Sequence, residues 1–342
     1  MGTTLVTNSR PIISAMSSTT DLDDPADTAA EHEVRRWQVE APHHRERLDK
    51  VLSATISGFS RSYLSQLVAQ GAVLRNGQAL RKPSARLQAG DTLEVTLRPT
   101  PQSQAFVPEA MDLAVVHEDA DLLVIDKPAG LVVHPAPGNW SGTLLNGLLA
   151  RDARMAELPR AGIVHRLDKD TSGLMLVARS RPAMDALVRM IAQREVRRQY
   201  LAIAHRPWTG PSPRDVDAAI GRDPANRLRM AALSAGSTGA KDARTTIELL
   251  DNADTACLVR CTLHTGRTHQ IRVHMASIGH PLLGDTVYGA QADPRMARQA
   301  LHAYRLALAH PLSGQPLAFA SALPTDMQAA LALWGLRYNP AR

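Results

Sequence analysis

Between Glu46 and Ile56 the apolar residues Leu48, Val51, Leu52 and Ile56 recur three to four apart, the spacing of one helical face. Tyr63, Leu64, Leu67 and Val68 repeat that stripe after Ser60, a good N-cap, and Gly71 closes it. The period then changes. Ala72-Val73-Leu74 leads into the hairpin dipeptide Asn76-Gly77, and Thr92–Leu97 alternates polar with apolar positions as a half-buried strand does. Residues 45–98 therefore read as a small separate unit. Pro99, Pro101 and Pro108 mark 99–110 as a linker.

From 111 to 335 short apolar runs alternate with turns. Strands are predicted at Leu122–Asp126, running into the Lys127-Pro128-Ala129-Gly130 turn, and at Leu131–His134, Leu174–Ala178, Val196–Ala204 and Thr255–Leu263. Met184, Leu187, Val188 and Ile191 mark an amphipathic helix. Strands in hairpin-like succession with few helices predict an α+β fold around a mixed, largely antiparallel sheet. The first 34 residues show no apolar period and are rich in Ser, Thr, Ala and Asp. Residues 1–40 are read as a disordered acidic tail.

Composition changes this picture in two places. Aromatics are only 4% of a chain that is 44% hydrophobic, so the core must be aliphatic. The net charge of +6 is uneven: residues 1–34 hold Arg10 against six acids, and the remainder holds 38 basic residues against 27 acidic ones. Arg45, Arg47, Lys50, Arg61, Arg75, Arg81, Lys82 and Arg86 crowd into 45–98 and point to a polyanionic partner bound through phosphates. The chain carries neither a run of ~20 apolar residues nor a signal-peptide pattern; the expectation is a cytoplasmic protein with no membrane partner, monomeric by default. Cys257 and Cys261, four apart in a predicted strand, read as free core cysteines.

Candidate chemistry concentrates in three stretches. In His165–Gly173 (HRLDKDTSG), Asp168 and Asp170 flank a lysine, behind an arginine and ahead of a Thr-Ser-Gly turn. A surface ion pair, a metal ligand and a catalytic carboxylate all suit Asp168. A calcium loop would need a glutamate at its twelfth position, where Arg179 stands. In His264–His274 (HTGRTHQIRVH) the three histidines fall five apart with no acid among them, a poor metal set. Arg267, His269 and Gln270 at a helix start suit a phosphate or carboxylate instead. Tyr200, in the basic strand Arg197-Arg198-Gln199-Tyr200-Leu201, is by itself ordinary strand packing.

Together these stretches carry a resemblance. Residues 45–98 resemble an S4 RNA-binding domain through Arg47–Leu52, Ser60-Arg61-Ser62, Gly71-Ala72-Val73 and Gly90-Asp91. Residues 112–325 resemble the RluA-type pseudouridine synthases. The matching residues are Gly162–Gly173, Tyr200, His264–His274 and His280–Asp285, with Val133-His134-Pro135 and Gly142–Asn146 between. The resemblance implies a pseudouridine synthase catalytic domain at 111–335, behind the small α/β S4 domain, acting on 23S ribosomal RNA or a large-subunit precursor. It implies no cofactor and no metal, since turning a uracil about its ribose involves no redox change. It also implies Asp168 as the catalytic carboxylate, Arg272 as its fixed cation and Tyr200 stacked on the target uracil. Arg166 would fill the space the flipped nucleotide leaves, with Arg267, His269 and Gln270 binding substrate. Arg45, Arg47, Lys50, Arg61, Arg81 and Lys82 would hold RNA on the S4-like unit. His165, Thr171 and Ser172 would shape the turn.

Overall fold

A computed structural model describes residues 33–340 apart from 57–58, 60, 98–104, 137, 227–228, 235 and 290. The predicted N-cap at Ser60, the tail before residue 33 and the first half of the predicted linker (99–104) lie outside the described residues. The chain divides into two compact units at Arg98/Pro99, each taken by itself below.

The first unit is a four-stranded antiparallel sheet with two helices. Its elements are β1 (Glu33–Gln38), α1 (Leu48–Thr55), α2 (Arg61–Ala69), β2 (Val73–Arg75), β3 (Gln78–Ala79) and β4 (Thr92–Leu97), in sheet order β1-β4-β2-β3. The helical stripes read from the sequence meet the sheet: Leu48, Val51, Leu52, Leu64, Leu67 and Val68 pack with Val73, Leu93 and Val95. Asn76 and Gly77 both take positive φ, 51° and 81°, as a tight primed turn requires. The Asn76 side chain accepts the Thr92 N–H and donates to Asp91, pinning the hairpin to β4.

Strand β1 corrects the reading of 1–40 as tail. Glu33–Gln38 pair with β4 from Glu33 opposite Leu97 to Gln38 opposite Thr92. This edge strand is made by backbone pairing: Val34 stays 53% exposed, so little apolar signal marks it in the sequence.

The second unit is built on one nine-stranded sheet. Its elements are β5 (Val115–Glu118), β6 (Leu122–Lys127), α3 (Leu144–Arg151), β7 (Ser172–Ala178), α4 (Arg181–Ala192), β8 (Arg197–His205), β9 (Arg214–Asp217), β10 (Ala219–Arg222), β11 (Met230–Leu233), β12 (Arg244–Asn252), β13 (Ala256–Leu263), α5 (Gln270–Ser277), β14 (Leu301–Ala309), β15 (Pro316–Ala320) and α6 (Thr325–Leu333). The sheet runs β5-β6-β7-β14-β8-β13-β12-β9; β15 adds to β14, and β10 with β11 forms a separate hairpin. Every neighbouring pair in the sheet is antiparallel except β7 with β14, so the fold is the mixed, largely antiparallel α+β type.

Alternation sorts side chains to the two faces. Tyr200, Ala202 and Ala204 join Met175, Val177, Val259 and Cys261 under α3 and α5. Leu201 and Ile203, one step out of phase, pack with Tyr304 and with Met327, Ala330 and Leu331 of α6. Leu174 and Leu176 meet Ala183 and Leu187 of α4. Cys257 and Cys261 are buried free thiols, and burial pushes the Cys257 thiol up to about 12.

One predicted strand does not form. Leu131–His134 turns around the buried Lys127, whose ammonium donates to the carbonyls of Pro128, Leu131 and Lys169. The carbonyls of Val132 and Val133 then receive the first N–H groups of α3. Gly162–His165 makes only the single bridge Ile163–Val177 rather than a strand.

Candidate active site

The turn that carries Asp168 is fixed from several sides. The Thr171 N–H closes it on the Asp168 carbonyl. Lys127 Nζ and the Gly130 N–H both donate to the Lys169 carbonyl, and Arg298 donates to that of Asp170. Thr171 Oγ1 accepts from Gln299, and Ser172 Oγ meets His302. Gly173 follows at φ +114°, where β7 runs against β14; a Cβ there would stand 2.3 Å from the Ala303 carbonyl oxygen, so only glycine lets the strands close. His165 anchors the near side, accepting the Leu176 N–H on Nε2 at 2.9 Å. Together these contacts present Asp168 at the wall of a cleft of about 350 Å³, within the usual range for ligand pockets.

Arg272, on α5, reaches Asp168 Oδ2 through Nη1 at 3.2 Å. Its other donors are held from behind. Nε and Nη2 donate to the two oxygens of Asp285 at 2.6 and 2.9 Å. Asp285 is buried, and the Tyr288 ring lies 5.0 Å beneath the guanidinium. Burial works against the Arg272 charge, but the hydrogen bonds and charge of Asp285, with Asp168, raise its pKa above the usual arginine value. Asp168 thus faces a cation that cannot be discharged or swung away. His269 Nε2 lies 3.9 Å from Asp168 Oδ1, and its Nδ1 pairs with the Tyr288 hydroxyl at 2.8 Å. The Met230 N–H donates to that hydroxyl. Burial lowers the His269 pKa, which favours the neutral ring. A neutral ring that accepts the Tyr288 proton on Nδ1 presents Nε2–H toward Asp168.

Tyr200 lines the same cleft from β8, and burial pushes its hydroxyl up to about 12. Arg166, Arg194, Arg198 and Arg267 also line it, with Asp168 the only carboxylate among the lining residues. The structure therefore gathers Asp168, Tyr200, Arg272, Arg166, Arg267, His269 and Gln270 around one cleft. Gln270 differs from the expectation of substrate contact. Its Oε1 accepts from Thr265 and the Arg267 N–H, and its Nε2 donates to the Arg244 carbonyl and Thr245, so it braces the turn.

Several alternatives lose their geometry. His274 turns into the core toward Thr245 and the Ala218 carbonyl, and His264 bonds Thr246, so the three histidines do not converge on an ion. Asp170 is not part of the cleft wall. Asp119, Asp121 and His310 bring ligand-type atoms together. Asp119 Oδ1, however, caps the N–H groups of Asp121 and Leu122, Asp121 accepts from Ser180, and His310 Nδ1 accepts from Leu312 and Ser313.

On the first unit, Asp49 ties two of the predicted RNA-contacting arginines together, pairing with Arg47 at 3.0 Å and Arg61 at 2.9 Å. Arg47, then Arg61, hold its carboxyl down at about 2. Lys50 pairs with Glu46. Arg45, Arg81 and Lys82 form no ion pair among the described residues, and the Arg81 guanidinium lies against Gly71. Sequence reasoning missed Asp285, Tyr288, Lys127 and Arg198. Asp285 ends the matching stretch His280–Asp285, which gave it no role, and Tyr288 follows it in the turn Gly284-Asp285-Thr286-Val287-Tyr288.

Comparison with known proteins bears on this cleft. The sequence pattern of the RNA pseudouridylate synthase family matches residues 121–277, and that of the S4 domain matches 46–93. The ribosomal large subunit pseudouridine synthase D of Neisseria meningitidis serogroup B is 44% identical over 82% of this chain and 76% of its own length. The synthase D of Nitrosomonas europaea is 46% identical over 83% of each. The solved structure of human RNA pseudouridylate synthase domain containing 4 superposes with a TM-score of 0.52 at 26% identity, over 66% of this chain and 94% of that one. Likeness at that level across four fifths of the sequence, with a family pattern that takes in Asp168, Tyr200 and Arg272, places this chain in the RNA pseudouridine synthase family, with an S4 domain ahead of its catalytic unit.

Proposed function

We propose that this enzyme isomerises uridines of 23S ribosomal RNA to pseudouridine, in the stem-loop that faces the small subunit, with Asp168 as the reacting carboxylate. The observation that carries the reading is the Asp168–Arg272 pair at the wall of an otherwise cationic cleft. A target uridine must leave its stack, at a cost of a few kcal/mol, before it can enter. Arg166, exposed at the cleft, is placed to fill the gap left in the RNA. Tyr200 then stacks on the uracil.

In the reaction the N1–C1′ bond breaks, the uracil turns and a C5–C1′ bond forms; C5 gives up its hydrogen and N1 gains one. No net oxidation occurs. Asp168 serves either as the nucleophile toward the sugar or as the base that takes the C2′ proton, and both roles need it ionised. Arg272 supports that state without entering the reaction itself. At the end the C5 proton must leave; the Tyr200 hydroxyl is the candidate on that wall to relay it, taking that proton as its own passes on to the Asp168 carboxylate lining the same cleft. The likeness to large-subunit synthases and the S4 unit support ribosomal RNA as the substrate.

Mapping pseudouridine in 23S ribosomal RNA from cells lacking the chain tests this directly. Sites that vanish should return with the wild type and not with Asp168→Asn. Unchanged pseudouridine in the knockout overturns the substrate, and rescue by Asp168→Asn overturns the role of the carboxylate.

A further inference from the structure

Arg198 sits on β8 two residues before Tyr200, so both side chains project from the same face of the strand into the cleft. The residue is 5% exposed. Among the described residues its side chain forms no ion pair and no hydrogen bond, and its Nε is enclosed without a partner. The turn after β13 packs the guanidinium in place: a Cβ on Gly266 would stand 2.9 Å from Arg198 Nη1. A guanidinium stays charged at any physiological pH. Enclosing one without a counter-charge is costly, so such groups are normally paired.

The cleft offers no internal answer to that charge. Its one carboxylate, Asp168, is already engaged by Arg272, which Asp285 holds. Arg166, Arg194 and Arg267 add further cations to the wall. The missing anion must come with the ligand. If the ligand is RNA, as proposed above, its anionic groups are phosphodiesters. A nucleotide whose base lies on Tyr200 brings its own backbone close to the next residue on that strand face, about 7 Å away.

We infer that Arg198 is the receptor for the phosphodiester adjoining the flipped uridine, and that it seats the nucleotide by charge rather than by reading its base. This rests on the proposed RNA substrate and adds a defined contact to it. Contacts of this kind set register without carrying sequence information.

The test is a double-mutant cycle between protein and RNA. Single-turnover rates and affinities are measured on an RNA fragment that the wild type modifies. That RNA is compared with versions carrying one uncharged methylphosphonate 5′ or 3′ of the target uridine. One of these replacements should weaken wild-type binding about 10- to 100-fold, and Arg198→Met should do the same. The two changes combined should cost little more than either alone. Arg198→Lys, which keeps the charge, should retain part of the sensitivity. Arg198→Met should melt at or above the wild-type temperature, because it removes a charge with no partner. Additive losses overturn the inference, and so does a lower melting temperature in Arg198→Met. A loss that disappears in a Tyr200→Phe background overturns it in favour of an effect on the tyrosine hydroxyl. Failure of the wild type to modify any ribosomal RNA fragment overturns the substrate reading and this inference together. Wild-type turnover with additive losses overturns this inference alone.

Discussion

Asp285 and Asp168 share one guanidinium: Asp285 takes Nε and Nη2 of Arg272 and leaves Nη1 for Asp168. The pair with Asp285 is the buried one, with side chains 6% and 1% exposed. The aim of Arg272 at Asp168 is therefore set by a residue 13 positions further along the chain.

Removing that anchor should damage stability and rate together. Asp285→Ala strands a buried cation, and breaking a buried pair from one side costs about 3–5 kcal/mol. Asp285→Asn keeps the shape and should fold. It should still lose about 100-fold in turnover, because an arginine free to rotate no longer fixes Asp168. Its affinity for RNA should change little. A variant with wild-type turnover would show that Asp168 is set by its own turn alone.

Lys127 makes a related prediction about that turn. Its buried ammonium satisfies three carbonyls, one of them that of Lys169, next to Asp168. Burial pulls its pKa down to about 8, with Asp170 and Asp168 opposing the shift. Lys127→Met leaves the Pro128 and Leu131 carbonyls without that donor, at about 1–3 kcal/mol each, while the Lys169 carbonyl keeps the Gly130 N–H. Thermal melting should fall by roughly 6–12 °C for a loss of about 3 kcal/mol in a domain of this size. Turnover should fall with it, and unaltered melting would mean that water replaces the ammonium.

What the sequence reveals of this molecule depends on the kind of signal. The helices of the first unit and the continuous apolar runs in β7, β8 and β13 are readable because apolar pattern maps directly onto burial. The Asp168 and Arg272 stretches are readable because their residue types are unusual together. Asp285 is marked only as the end of the matching stretch His280–Asp285; its role shows when folding brings it behind α5. Strand β1 escapes a pattern-based reading because an exposed edge is stabilised by backbone pairing. Leu131–His134 mimics a strand because its three consecutive apolar residues outweigh a lysine four positions earlier, which bends the chain. Arg198 gives no warning, since a basic residue in a strand does not show that it is enclosed.

Acid should weaken the fold through His165. The residue is half-buried, but its Nδ1 is enclosed without a partner and its Nε2 accepts the Leu176 N–H. Burial, then the charge of Arg198, lowers its pKa from 6.5 to about 3. The unfolded chain therefore takes up this proton first. Stability is full above about pH 6.5 and falls as pH drops from there toward 3, by up to about 1.4 kcal/mol per pH unit for this group. His165→Gln keeps an acceptor that does not titrate. Melting temperature measured from pH 7 to pH 4.5 should fall less steeply in that variant than in the wild type. Parallel curves would mean that other histidines carry the acid response.

The S4 unit should contribute to RNA binding through its unpaired charges more than through its paired ones. Arg47 and Arg61 are committed to Asp49, so neutralising either removes a structural contact as well as a charge. Arg81 and Lys82 are exposed and form no ion pair among the described residues. Each phosphate deprived of its cationic partner should flatten the dependence of log affinity on log salt by about 0.7–0.9. The double variant Arg81→Gln, Lys82→Gln should therefore lower that slope by roughly 1.4–1.8 and weaken binding to many RNA sequences alike. Turnover at saturating RNA should stay at the wild-type rate, because neither residue lies on the cleft. An unchanged slope would place the phosphate contacts on the catalytic unit, where Arg166, Arg194, Arg198 and Arg267 supply positive charge of their own.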